Sequence, residues 1–267
     1  MPETGYALGI DLGTSNTVAV LRWPDGRAKP LLFDGNTLLP SAVYAEPGQP
    51  GTTAQPGTAQ PGGAVSLLTG RDAVHSARVD PARYEPNPKR RIDDGSVLLG
   101  DTEVPVVDLF AAVLARVLEE ARRTAGGEIP ATTMTCPAAW AAPRRNLLRA
   151  AAARAGLGEV RLVEEPVAAA AYFVNVLGRQ VPAAKAIVVH DLGAGTFDAS
   201  VVARTADGFQ VLAVDGRGDI GGLDIDAATV AHLAQLYADR DAAAWERLAN
   251  PSTMEDRRYR RQLWDDV

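Results

Sequence analysis

The chain has 267 residues, 46% of them hydrophobic, with 27 basic and 33 acidic side chains, a net charge of −6 and a pI near 5.2. That size and apolar content suit a globular chain of one large or two modest domains. The acidic balance supplies no field for a polyanion and argues against nucleic acid as a partner. The single cysteine, Cys136, excludes an internal disulfide, and no apolar run is long enough for a membrane span.

In chain order, apolar strands are predicted at Tyr6 to Ile10 and Thr17 to Leu21, joined by the turn Asp11-Leu12-Gly13-Thr14-Ser15-Asn16. A stretch from Glu46 to Gly63 is half Pro and Gly and repeats Thr-Ala-Gln-Pro-Gly, so it has no means of packing a core and reads as a surface insertion. Val106, Leu109, Phe110, Val113, Leu114, Val117 and Leu118 fall at helical spacing, which predicts a one-sided buried helix over 106–121 ended by Gly126-Gly127. A strand from Ile129 to Cys136 follows, then helices from Pro143 to Ala155, stopped by Gly156, and from Pro166 to Leu177, stopped by Gly178. Strands at Ala186 to Asp191, Asp198 to Arg204 and Phe209 to Val214 lead to a Gly221-Gly222 turn. A helix is expected from Ala227 to Tyr237, and the charged, Ala-rich remainder is expected to continue as helix to Val267. On that helix the pairs Arg257-Arg258 and Arg260-Arg261 read as a solvated face. His75, His190 and His232 are scattered without metal-ligand spacing.

Two turns share the tripeptide Asp-Leu-Gly: Asp11-Leu12-Gly13-Thr14-Ser15-Asn16 and Asp191-Leu192-Gly193-Ala194-Gly195-Thr196-Phe197-Asp198. Each lies between two strands, whereas a dinucleotide-binding or Walker-type loop leads into a helix, and neither of those glycine strings is present. Small-residue turns expose consecutive backbone amides suited to phosphate oxygens. Thr14, Ser15 and Thr196 add hydroxyl donors, and Asp11 and Asp191 at the strand ends are placed to hold Mg2+ through its water shell. One such turn alone would be a tight hairpin with a capping Asp; the duplication favours paired halves around one ligand.

Four further segments point the same way. They are Asn87-Pro88-Lys89-Arg90, Thr135-Cys136-Pro137-Ala138-Ala139-Trp140 followed by Arg144-Arg145, Glu164-Glu165-Pro166 before an Ala-rich helix ending in Tyr172, and Gly218-Asp219-Ile220-Gly221-Gly222-Leu223-Asp224-Ile225-Asp226. Together with the turns, they resemble the heat shock protein 70 (DnaK-type) family of the actin-type ATPase superfamily, in order and spacing along nearly the whole chain. The resemblance implies an α/β, actin-like (ribonuclease H-like) fold with duplicated lobes of mixed sheet flanked by helices. The first lobe would span 1–184, with an outer subdomain at about 34–107 that carries the 46–63 insertion. Residues 185–267 would form only the opening part of the second, because the family's adenosine-holding loop and peptide-binding domain have no counterpart here.

The same resemblance implies ATP or ADP with Mg2+ as cofactor, K+ as a monovalent companion at Asp198, and ATP hydrolysis once the second lobe is complete. Catalytic residues would be Lys89, Glu165, Asp191 and Thr196. Nucleotide would be gripped by Gly13, Thr14, Ser15, Asn16, Gly193, Ala194, Gly195, Thr196, Gly221 and Gly222. Partners would be unfolded client proteins, a J-domain co-chaperone and a nucleotide exchange factor, and the expected compartment is the cytoplasm. Taken by themselves, Lys89-Arg90-Arg91 reads as a solvated basic run and Glu165 as an acid favouring a helix N-terminus. Ala194 replaces a usual glycine, which would strain the turn if that position requires φ > 0. Three other readings stay open: a bacterial actin-like filament protein, a sugar or small-metabolite kinase, and a non-catalytic nucleotide-binding remnant.

Overall fold

A computed structural model describes residues 5–47, 65–129, 131–237 and 240–267, so the insertion expected at 46–63 lies, from Gly48 onward, outside the described residues. The chain gathers into two units, Met1–Val189 with Ser200–Val214, and His190–Ala199 with Asp215–Val267. Alternation along the first strand, β1 (Ala7–Leu12), buries Leu8, Ile10 and Leu12 and leaves Asp11 on the exposed face. Next come β2 (Asn16–Arg22), β3 (Ala28–Pro30), β4 (Leu39–Pro40), β5 (Val43–Ala45), β6 (Leu67–Thr69), α1 (Gly70–Ser76), β7 (Tyr84–Glu85), β8 (Ser96–Leu99) and β9 (Thr102–Pro105). Short 3-10 turns at Pro81–Arg83 and Pro88–Arg91 flank β7.

The long helix α2 (Val106–Ala125) buries all seven apolar positions that defined the helical spacing, with Phe110 only 1% exposed. Each such side chain contributes roughly 1.5–3 kcal/mol by leaving water. Gly126 ends the helix in the left-handed region (φ 74°), where its N–H returns to the carbonyl of Arg122. The chain continues through β10 (Ala131–Cys136), α3 (Ala142–Arg154), β11 (Val160–Glu164) and α4 (Glu165–Asn175); β10, α3 and α4 lie within two residues of their sequence-based bounds, whereas β11 was not expected from the sequence. Strands β10 and β11 pair in parallel and α3 crosses between them. The main sheet runs β11-β10-β1-β2-β3, with β4 also on β2; its β1–β10 pair is parallel and its β1–β2 pair antiparallel. Helix α2 packs on β2 and on α3. A small sheet, β6-β5-β7, and the β8–β9 hairpin complete this region.

The second run of strands, β12 (Ala186–Leu192), β13 (Phe197–Arg204) and β14 (Phe209–Arg217), forms a three-stranded sheet in that order. Helix α5 (Gly222–Tyr237) begins five residues earlier than the expected Ala227. The remainder corrects the expectation of one continuous helix. It divides into α6 (Ala242–Ala249) and α7 (Met254–Asp266), and residues 238–239 are not described. Pro251 explains the break: it donates no N–H and bars helical geometry at Asn250, which stands at φ −124°, ψ 70°. Helix α7 restarts with a reciprocal capping box between Thr253 and Asp256. Arg257, Arg258 and Arg260 are exposed along α7, whereas Arg261 is partly buried. Among the described residues no helix is long and apolar enough to cross a membrane.

Candidate functional site

Within the first unit, the turn after β1 closes on itself so tightly that a Cβ on Gly13 would lie 2.3 Å from the Asn16 carbonyl oxygen. Glycine is therefore required here by space. The turn is fastened from behind by hydroxyls that the sequence reading did not single out. The Ser41 Oγ donates to the Gly13 carbonyl (2.9 Å) and shares a buried hydrogen bond with Thr17 Oγ1 (2.9 Å), while the Ser41 N–H donates to the Ser15 carbonyl (2.9 Å). Buried hydroxyls with two partners fix a backbone more firmly than packing alone. Thr14 and Ser15 are half-buried, and Asn16 and Asp11 are exposed. Thr135 on the adjoining β10 donates its Oγ1 proton to Asp11 Oδ1 (2.7 Å), which orients that carboxylate.

Lys89 reaches the same region from the 3-10 turn after β7. Its Nζ donates to Glu165 Oε1 at 2.9 Å and lies 5.5 Å from the centroid of the Trp140 ring. The two charged side chains are only 15% and 18% exposed. Lys89 is thus not the solvated charge that its Lys-Arg-Arg context suggests. Partial desolvation over an aromatic face strengthens both the ion pair and the cation–π contact. Glu165 is the first residue of α4, where a carboxylate also complements the helix N-terminus, and Pro166 fits the first turn because that N–H has no helical acceptor.

Arg145 braces the segment under Lys89, donating to the carbonyls of Trp140 (2.7 Å) and Ala138 (3.3 Å) and to Glu164 Oε1 (2.9 Å). The Glu164 hydrogen bond holds its guanidinium above the ordinary arginine range. The Cys136 thiol beside it is buried, and desolvation pushes its pKa up, which keeps it neutral and unreactive. The side-chain amide of Asn87 closes against the first turn, its nitrogen donating to the Thr14 carbonyl (3.2 Å), 3.4 Å from Ser15 Oγ. Asp11, the Gly13 turn, Lys89 and Glu165 are therefore brought together in one unit by β1, the β7 turn and α4.

The second turn belongs to the second unit. Gly193 N–H donates to the Thr196 carbonyl (2.9 Å), and Ala194 keeps a negative φ, so the alanine sits there without strain. The steric demand falls on Gly221: a Cβ there would lie 2.5 Å from the Ala194 oxygen and 2.6 Å from the Gly195 carbonyl carbon. Because Gly221 is bare, α5 docks on the turn through Gly222 N–H to Gly193 O (2.9 Å) and Leu223 N–H to Ala194 O (3.0 Å). These hydrogen bonds satisfy amides that a helix start otherwise leaves open, and they account for the early start of α5. Asp224 caps from within, accepting from Gly221 N–H (2.8 Å). Asp191 and Thr196 are exposed, and Thr196 Oγ1 donates to Asp198 Oδ2 (3.2 Å). His190 meets Phe197 edge-on at 5.9 Å. Among the described residues no group of three or more His, Cys, Asp or Glu side chains could hold a metal directly.

Comparison with known proteins matches residues 96–252 to the family model described as "Hsp70 protein". The chain is 30% identical to a Chaperone protein DnaK of Thermotoga neapolitana, over 87% of this chain and 36% of that one. It is 34% identical to Chaperone protein HscA homologs of Pseudomonas putida and Pseudomonas aeruginosa, covering 89% and 92% of this chain and 39% and 40% of theirs. The chain thus spans about two fifths of the length of these relatives.

Proposed function

Because the chain belongs to the Hsp70 protein family and has the mixed α/β architecture of its actin-like ATPase fold, we propose that it is a nucleotide-binding module of a DnaK-type chaperone. The ligand is ATP or ADP with Mg2+, and the reaction is transfer of the terminal phosphoryl group to water. Residues 1–184 are assigned to the first lobe, with 34–107 as its outer subdomain, and 185–267 to the second. Client proteins, a J-domain co-chaperone and an exchange factor are the proposed partners, and the cytoplasm the proposed compartment.

The observation that carries this reading is the half-buried Lys89, paired with Glu165 and stacked on Trp140, beside a turn whose tightness admits only glycine. Phosphoryl transfer asks the protein for aligned donors and neutralised charge more than for covalent chemistry. The backbone amides and hydroxyls of Thr14 and Ser15 would bind phosphate oxygens. Lys89 would neutralise the transferred group and orient the attacking water, with Glu165 restraining the lysine and receiving the water's proton. Asp11, already oriented by Thr135, has the hard oxygen donors that Mg2+ takes through its hydration shell, and Asp191 offers the same chemistry in the second turn. Bound Mg2+ would supply further charge neutralisation. In the second unit, Gly193, Ala194, Gly195 and Thr196 would offer phosphate oxygens donors of the same kind, with Gly221 and Gly222 supporting that turn, and Asp198 would take K+.

Calorimetry with MgATP and single-turnover hydrolysis test this together. Lys89→Ala is expected to lower hydrolysis about 100-fold or more while nucleotide affinity changes little, and Asp191→Asn to weaken the Mg2+-dependent part of binding. Absence of MgATP binding by the folded protein would refute the proposal and favour a non-catalytic module.

A further inference from the structure

Glu85, at the end of β7, is only 4% exposed, and its backbone pairs with Val43 of β5. Its carboxylate grips both flanks of the lysine-bearing turn: Oε1 accepts from the Asn87 N–H (2.9 Å) and Oε2 from Arg91 Nε (2.8 Å). The residues two before and two after Lys89 are thereby tied to one side chain, and the apex cannot translate without breaking one of these bonds. Burying a carboxylate is costly, and an apolar residue would serve a short strand better. Here the cost is offset by Arg91, whose hydrogen bond with Glu85 raises its pKa further above the ordinary arginine value. Other restraints act on the same segment: Pro88 is buried at the start of the turn, and Arg144 forks onto both oxygens of Asp93 (2.9 and 2.5 Å). Beyond this clamp Lys89 has a flexible four-carbon stem with much rotamer freedom, so the backbone must be held for the ammonium to be aimed.

We infer that Glu85 is a positioning residue that holds Lys89 in register with Glu165 and the Gly13 turn. The inference rests on the reading of Lys89 given under the proposed function. It is tested in the full chain by two measurements on the wild type, Glu85→Ala, Glu85→Gln and Arg91→Met.

The first is hydrogen exchange without nucleotide. In Glu85→Ala, amides over 86–92 exchange about tenfold faster while α2 keeps its protection. Glu85→Gln retains an acceptor for Asn87 and stays near the wild type. Unchanged exchange over 86–92 in Glu85→Ala overturns the clamp. Arg91→Met, a change on a half-exposed side chain, releases one end of the carboxylate and covers the case in which Glu85→Ala does not fold. It should loosen the same peptide, and wild-type exchange there also overturns the inference.

The second is single-turnover MgATP hydrolysis. A displaced lysine lowers the rate by about 100-fold with the Kd unchanged within a factor of about two, and Glu85→Gln recovers most of the rate. Equal rates in wild type and Glu85→Ala, or a fall in rate together with lost α2 protection, refute a positioning role. If the wild type itself fails to bind MgATP, the proposed function falls while the exchange measurement still decides whether Glu85 clamps the turn.

Discussion

Substituting Gly221 with alanine gives the sharpest test of how the second turn is built. The added methyl would meet three backbone atoms, Ala194 O at 2.5 Å, the Gly195 carbonyl carbon at 2.6 Å and the Ala194 carbonyl carbon at 2.7 Å, none of which can rotate away. Restoring ordinary carbon contacts requires the turn and the start of α5 to separate by about 1 Å. The hydrogen bonds from Gly222 N–H and Leu223 N–H, now 2.9 and 3.0 Å, would then be stretched or lost, at about 1 kcal/mol each. Forcing a methyl group into a close-packed contact costs typically 1–3 kcal/mol, so the combined loss is about 3–5 kcal/mol. Urea unfolding followed by far-UV circular dichroism reads the stability, and hydrogen exchange over 190–199 and 219–226 locates the change. Gly218→Ala is the control, because a Cβ there meets nothing within 4 Å and the backbone is not left-handed. A Gly221→Ala protein within about 0.5 kcal/mol of the control, with unchanged protection in both peptides, would refute the close-approach reasoning.

Two further outcomes follow from the first unit. Phe110→Ala removes a ring that is 1% exposed in the second turn of α2 and should cost about 3–5 kcal/mol in urea unfolding; a loss below about 1.5 kcal/mol would show that the core is not organised around this helix. Glu120 is buried on α2, and its hydrogen bonds with Arg123 hold its carboxyl below the ordinary glutamate range. A folded-state value below the unfolded one makes its contribution complete above the ordinary glutamate range and lost as the pH falls through the folded value. Glu120→Gln should therefore unfold more easily than the wild type at neutral pH and converge with it in acid. A stability gap that does not narrow on acidification would exclude this linkage.

What the amino-acid order disclosed was mainly local. Helix α2 was legible because seven apolar residues repeat at helical spacing, and Gly126 marks its end through a backbone conformation that glycine adopts most easily. Asp-Leu-Gly disclosed both turns, yet it could not say which glycines are sterically obligatory: Gly13 is, whereas a Cβ at Gly193 would sit 3.5 Å from its nearest neighbour. The demand at Gly221 arises from a carbonyl 27 positions earlier, and only folding brings the two together. Lys89 was misjudged when read alone because its burial comes from Trp140 and from Glu165, the latter 76 residues downstream. The roles of Ser41, Asn87, Thr135 and Glu85 escaped for the same reason, each being an ordinary polar residue until its partner is placed, although Asn87 and Thr135 lie within motif segments. Pro251 was a local signal that went unread, and it breaks the run that the Ala-rich, charged composition around it suggests as one helix.

The parallel pairing of β1 with β10 also bears on synthesis. Asp11 meets Thr135, 124 positions downstream, and β11 joins the sheet later still. As a nascent chain leaves the ribosome, the β1–β2 hairpin can close early, but the other edge of β1 waits for more than a hundred further residues. During that interval the strand presents unpaired amides and carbonyls flanked by Leu8 and Ile10, a surface open to wrong pairing. A protein placed in a family of folding helpers thus carries, in its own first strand, the kind of delayed closure that makes such help useful.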